Sequence, residues 1–167
     1  MKFLLTAINA KYIHSNPGVY SLKMFAESQG AAEAVQGDQD PREDGLPCAP
    51  FVEIAEYTIN NQMELILEDI YRKKPDMVGI SCYIWNMEYV QSLLRDLKKV
   101  LPDTEIWLGG PEVSYDCEEV LEREQNVRGI MTGEGETTFR ELQSWYHGEG
   151  RLSDIRGLVY RDEEGKF

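Results

Sequence analysis

The chain has 167 residues and a formal net charge of −13, from 17 basic and 30 acidic residues. Its length fits one domain with a real core. So acidic a balance argues against a nucleic-acid or anionic-membrane partner, because phosphate binding needs clustered Lys and Arg.

The opening run, Met1 to Ile8, is apolar but is followed at once by polar Asn9 and Lys11. It is too short for a signal segment, and no run in the chain reaches the roughly 20 apolar residues that span a bilayer. The expectation is a cytoplasmic protein whose first strand, Lys2 to Ile8, is buried. Gly18 to Ser28 then reads as a helix with Val19, Leu22, Phe25 and Ala26 on one face. Residues 29–50 are rich in Gly, Pro, Asp and Ala with little apolar periodicity, which predicts a long loop or insertion. Val52 to Tyr57 is a short strand. Asn60 to Lys74 repeats apolar residues at helical spacing through Met63, Ile66, Leu67 and Ile70, and Pro75-Asp76 stops it.

Met77 to Cys82 is an unbroken apolar strand of the kind buried on both faces. Asn86 is placed to cap the helix that follows, with Val90, Leu93, Leu94 and Leu97 inward. Thr104 to Leu108 is the fourth strand, Val113 to Glu124 a helix, Val127 to Met131 the fifth strand and Thr137 to His147 the last helix. Ile155 to Arg161 with Asp162-Glu163-Glu164-Gly165 reads as the first arm and turn of a hairpin. Strand and helix alternating at this spacing predict an α/β, flavodoxin-like three-layer sandwich. Its five parallel strands would take the order 2-1-3-4-5, with the start of a C-terminal hairpin. Residues 1–150 would form this domain, and 151–167 the start of a linker or hairpin leading to a further domain.

In such a sheet, ligands sit outside the carboxyl ends of the strands. Two glycine-rich loops fall there: Gly109-Gly110-Pro111-Glu112 after the fourth strand and Gly133-Glu134-Gly135-Glu136 after the fifth. Glycine lets backbone approach a ligand that a side chain would exclude, so a side chain at 110 or 135 is expected to block a bound molecule. Neither the dinucleotide fingerprint nor the Gly-Lys-Ser/Thr phosphate loop is present. Glu134 and Glu136 suit ribose hydroxyls or amides better than a polyphosphate.

The first loop, Asn9-Ala10-Lys11-Tyr12-Ile13-His14-Ser15-Asn16, lies at the same edge. Ser15, Asn16 and Pro17 have the chemistry of a helix start. Tyr12 and His14 are unexplained by it and are candidates for a ligand. Beyond the third strand, Tyr83 and Trp85 can form an aromatic wall beside Ser81 and Asn86. Cys48, Cys82 and Cys117 form no C-x-x-C pair or disulfide framework, and with only His14 and His147 the chain offers no assigned metal ligands and no catalytic set.

Together these segments resemble the cobalamin-binding domain that precedes the radical S-adenosylmethionine core in many bacterial enzymes, among them methyltransferases and the anaerobic oxidative cyclase of magnesium-protoporphyrin ester. The resemblance rests on the Asn9–Asn16 loop, Pro75-Asp76-Met77-Val78-Gly79-Ile80-Ser81, Gly109-Gly110-Pro111-Glu112 and Gly133-Glu134-Gly135-Glu136, four signatures in order. It implies cobalamin at the carboxyl edge. Ser81, Gly109, Gly110, Gly133, Gly135 and Glu136 would line the groove for the nucleotide tail, with Pro111, Glu134, Tyr83 and Trp85 beside them. Asn9, Tyr12 and His14 would face the corrin. The Asp-x-His-x-x-Gly motif that supplies a histidine to cobalt is absent, which speaks against a base-off complex with histidine on the metal. The Cys-x-x-x-Cys-x-x-Cys cluster is absent too. S-adenosylmethionine and a [4Fe-4S] cluster would then belong to a downstream radical domain acting on a small-molecule substrate, and this chain alone would not be catalytic. Two alternatives stand beside this reading: a flavodoxin-like interaction or regulatory domain that has lost its ligand, and a flavin or nucleotide carrier.

Overall fold

The apolar runs assemble into one sheet with strands in the order β2-β1-β3-β4-β5-β6. The protein is described from a computed structural model that covers residues 1–10, 14–35, 51–162 and 164–167. The elements in chain order are β1 (Lys2–Asn9), α1 (Pro17–Val35), β2 (Phe51–Thr58), α2 (Met63–Lys73), β3 (Met77–Ser81), α3 (Met87–Val100), β4 (Glu105–Gly109), α4 (Cys117–Arg123), β5 (Gly129–Met131), α5 (Glu136–Tyr146) and β6 (Leu158–Tyr160). The first five strands pair in parallel, with Leu5 beside Ile54 and Gly79, and Gly79 beside Trp107.

Parallel strands joined through helices must be covered on both faces. On one face, Leu4, Ile8, Val78, Ile80, Ile106 and Leu108 pack against Ile66 and Ile70 of α2, Leu93, Leu94 and Leu97 of α3, and Leu121 of α4. On the other, Phe3, Leu5, Met77, Trp107 and Met131 pack against Val19 of α1 and Phe139 and Leu142 of α5. Each strand thus sends alternate side chains to opposite layers, the period-two rule of a strand. Trp107 is fully buried and donates its indole N–H to the Tyr146 hydroxyl at 2.7 Å, and that hydroxyl in turn bonds Glu105.

Three departures from the sequence expectation are the largest. The helix α1 does not stop at Ser28 but runs to Val35. Ala31-Ala32-Glu33-Ala34 is strong helix-forming sequence, and the compositional reading of 29–50 counted those alanines as loop. The rest of that expected insertion, 36–50, lies outside the described residues. The helix α4 starts at Cys117 rather than Val113, because residues 111–116 turn before entering it. The C-terminal arm joins the main sheet, where β6 pairs antiparallel with β5, Ile130 beside Val159. The turn after it closes through the Asp162 amide donating to the Lys166 carbonyl at 2.8 Å.

Candidate functional site

All five parallel strands deliver their carboxyl ends to one edge, and the loops that leave them build the site. The loop after β3 is fixed from within. Asn86, 1% exposed, donates through Nδ2 to the carbonyls of Ile8 and Ser81, both at 2.9 Å, and accepts the Tyr83 amide on Oδ1 at 2.9 Å. Its side chain does not cap α3, as the sequence reading expected. It ties β1, β3 and the β3–α3 loop into one unit. The loop then presents Tyr83 and Trp85 as a stacked pair, 4.4 Å between centroids and 10° between planes, with Trp85 48% and Ile84 78% exposed.

The two glycine loops differ. Gly110 has φ +104°, and a β-carbon there would stand 2.5 Å from the Cys82 carbonyl oxygen. The β3–α3 and β4–α4 loops therefore touch backbone to backbone. The protein itself therefore already obstructs a side chain at 110, whatever is bound beside it. Gly133 (φ +73°) and Gly135 (φ +87°) make the turn into α5 in the left-handed region that favours glycine. A β-carbon on Gly135 would approach Leu22 Cδ2 at 3.3 Å, whereas one on Gly133 meets nothing within 4 Å.

Between these loops and α1 lies a crevice of about 60 Å³. Its floor and walls are Leu5, Val19, Leu22 and Met131, with Gly79 and Gly109 leaving the sheet side bare. Ser81, Gly110, Gly133, Glu134 and Gly135 form its rim. Six residues singled out in the sequence meet here: Ser81, Gly109, Gly110, Gly133, Glu134 and Gly135. The walls had not been singled out. Gly79 could have been, since a glycine inside an apolar strand marks a close approach. The crevice thus has an apolar floor and a polar, glycine-built mouth.

The other candidates among the described residues stand around this crevice rather than in it. Glu136 accepts the Ser21 hydroxyl at 2.6 Å and so links α5 to α1 at the crevice lip. Pro111 is exposed at the start of the β4–α4 loop. Asn9 ends β1 and donates through Nδ2 to Glu56 at 3.0 Å. His14 is exposed near the start of α1, and Tyr12 lies outside the described residues. Asn16 does cap α1: its Oδ1 accepts the Gly18 amide at 3.0 Å, with Pro17 as the first helical residue. Cys82 carries no chemistry, since full burial pushes its thiol up to about 12. Among the described residues, no helix is long and apolar enough to cross a membrane.

A sequence model of the B12 binding domain matches residues 4–143. The cytidylyl-2-hydroxyethylphosphonate methyltransferase of Streptomyces wedmorensis is 29% identical over 165 residues, which cover 97% of this chain and 27% of that enzyme. The cobalamin-dependent radical SAM methyltransferase TokK of Streptomyces tokunonensis is 33% identical over 81 residues, 48% of this chain and 11% of that enzyme. The chain thus spans little more than a quarter, at most, of these curated relatives. Among solved structures, the cobalamin-dependent S-adenosylmethionine radical enzyme OxsB with aqua-cobalamin and S-adenosylmethionine bound superposes with a TM-score of 0.75 at 18% identity. That match covers 99% of this chain and 21% of OxsB. A cobalamin-binding protein from Desulfitobacterium hafniense superposes with a TM-score of 0.54 at 16% identity, over 86% of this chain and 58% of that one. The order 2-1-3-4-5 with glycine-rich loops at its carboxyl edge, and a family match over most of the chain, lead to one assignment: the chain belongs to the B12 binding domain family.

Proposed function

We propose that the carboxyl edge of this sheet holds cobalamin, and that the chain is the cobalamin-binding module of a larger radical S-adenosylmethionine enzyme. The observation that carries the reading is the crevice, where residues from β3, β4 and β5 converge over an apolar floor. Leu5, Val19, Leu22 and Met131 would receive the flat base of the nucleotide tail. The bare backbone at Gly109 and Gly133, with Ser81 and Glu134 at the rim, would hydrogen-bond its ribose and linker. Asn9, Tyr12 and His14, with the Tyr83–Trp85 stack, would face the corrin, and Pro111 and Glu136 would border it.

Bound cobalamin supplies a cobalt centre that carries a methyl group or an electron, and the chain's share is orientation and exclusion of water. Methyl transfer is the reaction that the relatives' names favour. S-adenosylmethionine, a [4Fe-4S] cluster and the small-molecule substrate would belong to another domain of the full protein, which packs on this edge as its partner. The unpaired thiols of Cys82 and Cys117 suit the cytoplasm.

The test is a visible-spectrum titration of hydroxocobalamin into the wild type and into Gly109→Val. Gly109 is the right probe, because a β-carbon there meets only Met131, its carbonyl oxygen at 3.5 Å and its Cβ at 3.9 Å, both ordinary contacts. Saturable spectral change in the wild type, weakened about tenfold or more in the variant, is expected. Equal affinity with both folds intact puts the tail elsewhere. No binding by the wild type or by the full-length protein favours an interaction domain that has lost its ligand.

A further inference from the structure

The α1-facing side of β2 reads Val52, Ile54, Glu56. Two apolar residues are followed by a carboxylate in the row where a third apolar residue would continue the layer. Glu56 is half-buried and accepts three hydrogen bonds. Its Oε1 accepts the backbone amide of Asn16 at 2.6 Å and the side-chain amide of Asn9 at 3.0 Å, and its Oε2 accepts the Tyr20 hydroxyl at 2.8 Å. Burial pushes this carboxyl up, but the donations from Asn16, Asn9 and Tyr20 together outweigh it and hold the group below its ordinary range.

The two amide donors are not arbitrary. Asn9 is the last residue of β1, and Asn16 is the residue before α1. One carboxylate on the edge strand therefore holds both residues between which the first loop runs. The link continues into the crevice, since Asn16 Nδ2 donates to Ser81 Oγ at 3.2 Å and Ser81 lines the rim. We propose that Glu56 is the positioning residue of the ligand edge. By holding Asn9 and Asn16 at once it fixes where the β1–α1 loop leaves and rejoins the fold, and through Asn16 it sets Ser81. Its effect on affinity rests on the cobalamin reading above; its grip on Asn16 does not.

Two variants separate the role from plain stability. Glu56→Leu continues the apolar row and removes every acceptor. Glu56→Gln keeps the shape: its Oε1 can accept both amides while its Nε2 donates to the Tyr20 oxygen. The first readout needs no ligand. Amide exchange at Asn16 should quicken about tenfold or more in Glu56→Leu, while amides of β1 and β3 keep their rates. Glu56→Gln should recover most of the protection. The second readout is the cobalamin titration, where Glu56→Leu should bind about tenfold more weakly and Glu56→Gln within a fewfold of wild type. Unchanged Asn16 exchange in Glu56→Leu overturns the proposal, as does unchanged affinity in a variant whose loop has loosened. If Glu56→Leu fails to fold, Glu56→Thr carries the same comparison, because its short β-branched side chain suits a strand but cannot reach the Asn16 amide, and wild-type exchange at Asn16 with wild-type affinity in it overturns the proposal. A wild type that binds no cobalamin sinks the functional reading, and the exchange data then decide the Glu56 contact alone.

Discussion

A β-carbon on Gly110 would lie 2.5 Å from the carbonyl oxygen of Cys82 and 3.0 Å from its amide nitrogen. Both obstacles are backbone, and φ at Gly110 is +104°, so no side-chain rotation relieves the contact. The β3–α3 and β4–α4 loops at the carboxyl edge can approach this closely only because residue 110 is glycine.

Gly110→Ala should therefore lose about 3 kcal/mol or more of stability, from strain and displaced backbone together. Urea unfolding with and without cobalamin measures it. A loss under about 1 kcal/mol would mean that the loops part easily and that the glycine serves the ligand instead.

Asn86 makes a second prediction. Its three hydrogen bonds join groups from β1, β3 and the loop between β3 and α3, and the side chain is buried. Asn86→Ala leaves two carbonyls and an amide without these partners, at a cost of about 3 kcal/mol. Asn86→Asp should be no better, since a carboxylate cannot donate to Ile8 or Ser81 and meets their carbonyl oxygens instead. Thermal unfolding of the two variants checks this, and an aspartate variant as stable as wild type would contradict the assigned orientation of the amide.

The layering of the fold was legible because each buried strand is an unbroken apolar run and each helix has a clean inner stripe, as in α3 with Val90, Leu93, Leu94 and Leu97. The glycine loops were legible as a pair because both follow strands at the same edge. What escaped was the part decided by contacts remote in sequence. Asn86 was read as a local cap, but its acceptor at Ile8 lies 78 residues away. Glu56 drew no notice because acidic residues in a short strand, here Glu53 and Glu56, read as surface until α1 is packed on it. The backbone contact of Gly110 with Cys82 was not foreseen because the position of Cys82 is not written in the local sequence. The β6 pairing was missed because a three-residue strand carries too little pattern to choose its partner.

Stability should depend on pH through Glu53. This carboxylate receives Lys73 Nζ at 2.6 Å and Lys2 Nζ at 2.9 Å. The hydrogen bond from Lys73, then that from Lys2, holds it below its ordinary value of 4.5, and Lys73 is held above its own ordinary 10.5 chiefly by the bond to Glu53. For Glu53, with its folded value depressed, the contribution is present above pH 4.5 and is lost as pH falls through the lowered value. For Lys73 the sign reverses: the contribution is present below 10.5 and is lost as pH rises through the raised value. Glu53→Gln should cost about 1 kcal/mol at neutral pH and nothing further in acid, so its urea midpoint should fall less than that of wild type on acidification below 4.5. Parallel acid profiles would remove Glu53 from the account.

Trp85 offers the last prediction, and it separates ligand from fold at one residue. Its ring stacks on Tyr83 at 4.4 Å, yet nearly half of it, 48%, is exposed. An exposed indole at a loop tip adds little to the core, so Trp85→Ala should change stability by only about 0.5–1 kcal/mol, the worth of one aromatic pair. Cobalamin affinity should respond differently. A corrin laid across this edge would cover the stack and lose that apolar contact in the variant, for a fall of about fivefold to tenfold. Fluorescence gives an independent reading, because the chain has three tryptophans. Trp107 is fully buried and bonded to Tyr146, and Trp145 is half-buried in the last turn of α5, at the end of that helix away from Gly135. The red-edge emission should therefore come mainly from Trp85, and cobalamin, which absorbs in that range, should quench it first. In Trp85→Phe that early, red-edge quenching should vanish while affinity stays close to wild type, because the stacked ring is kept. Affinity untouched in Trp85→Ala, with uniform quenching across the emission band, would move the corrin away from this loop and leave the Tyr83–Trp85 stack to a protein partner.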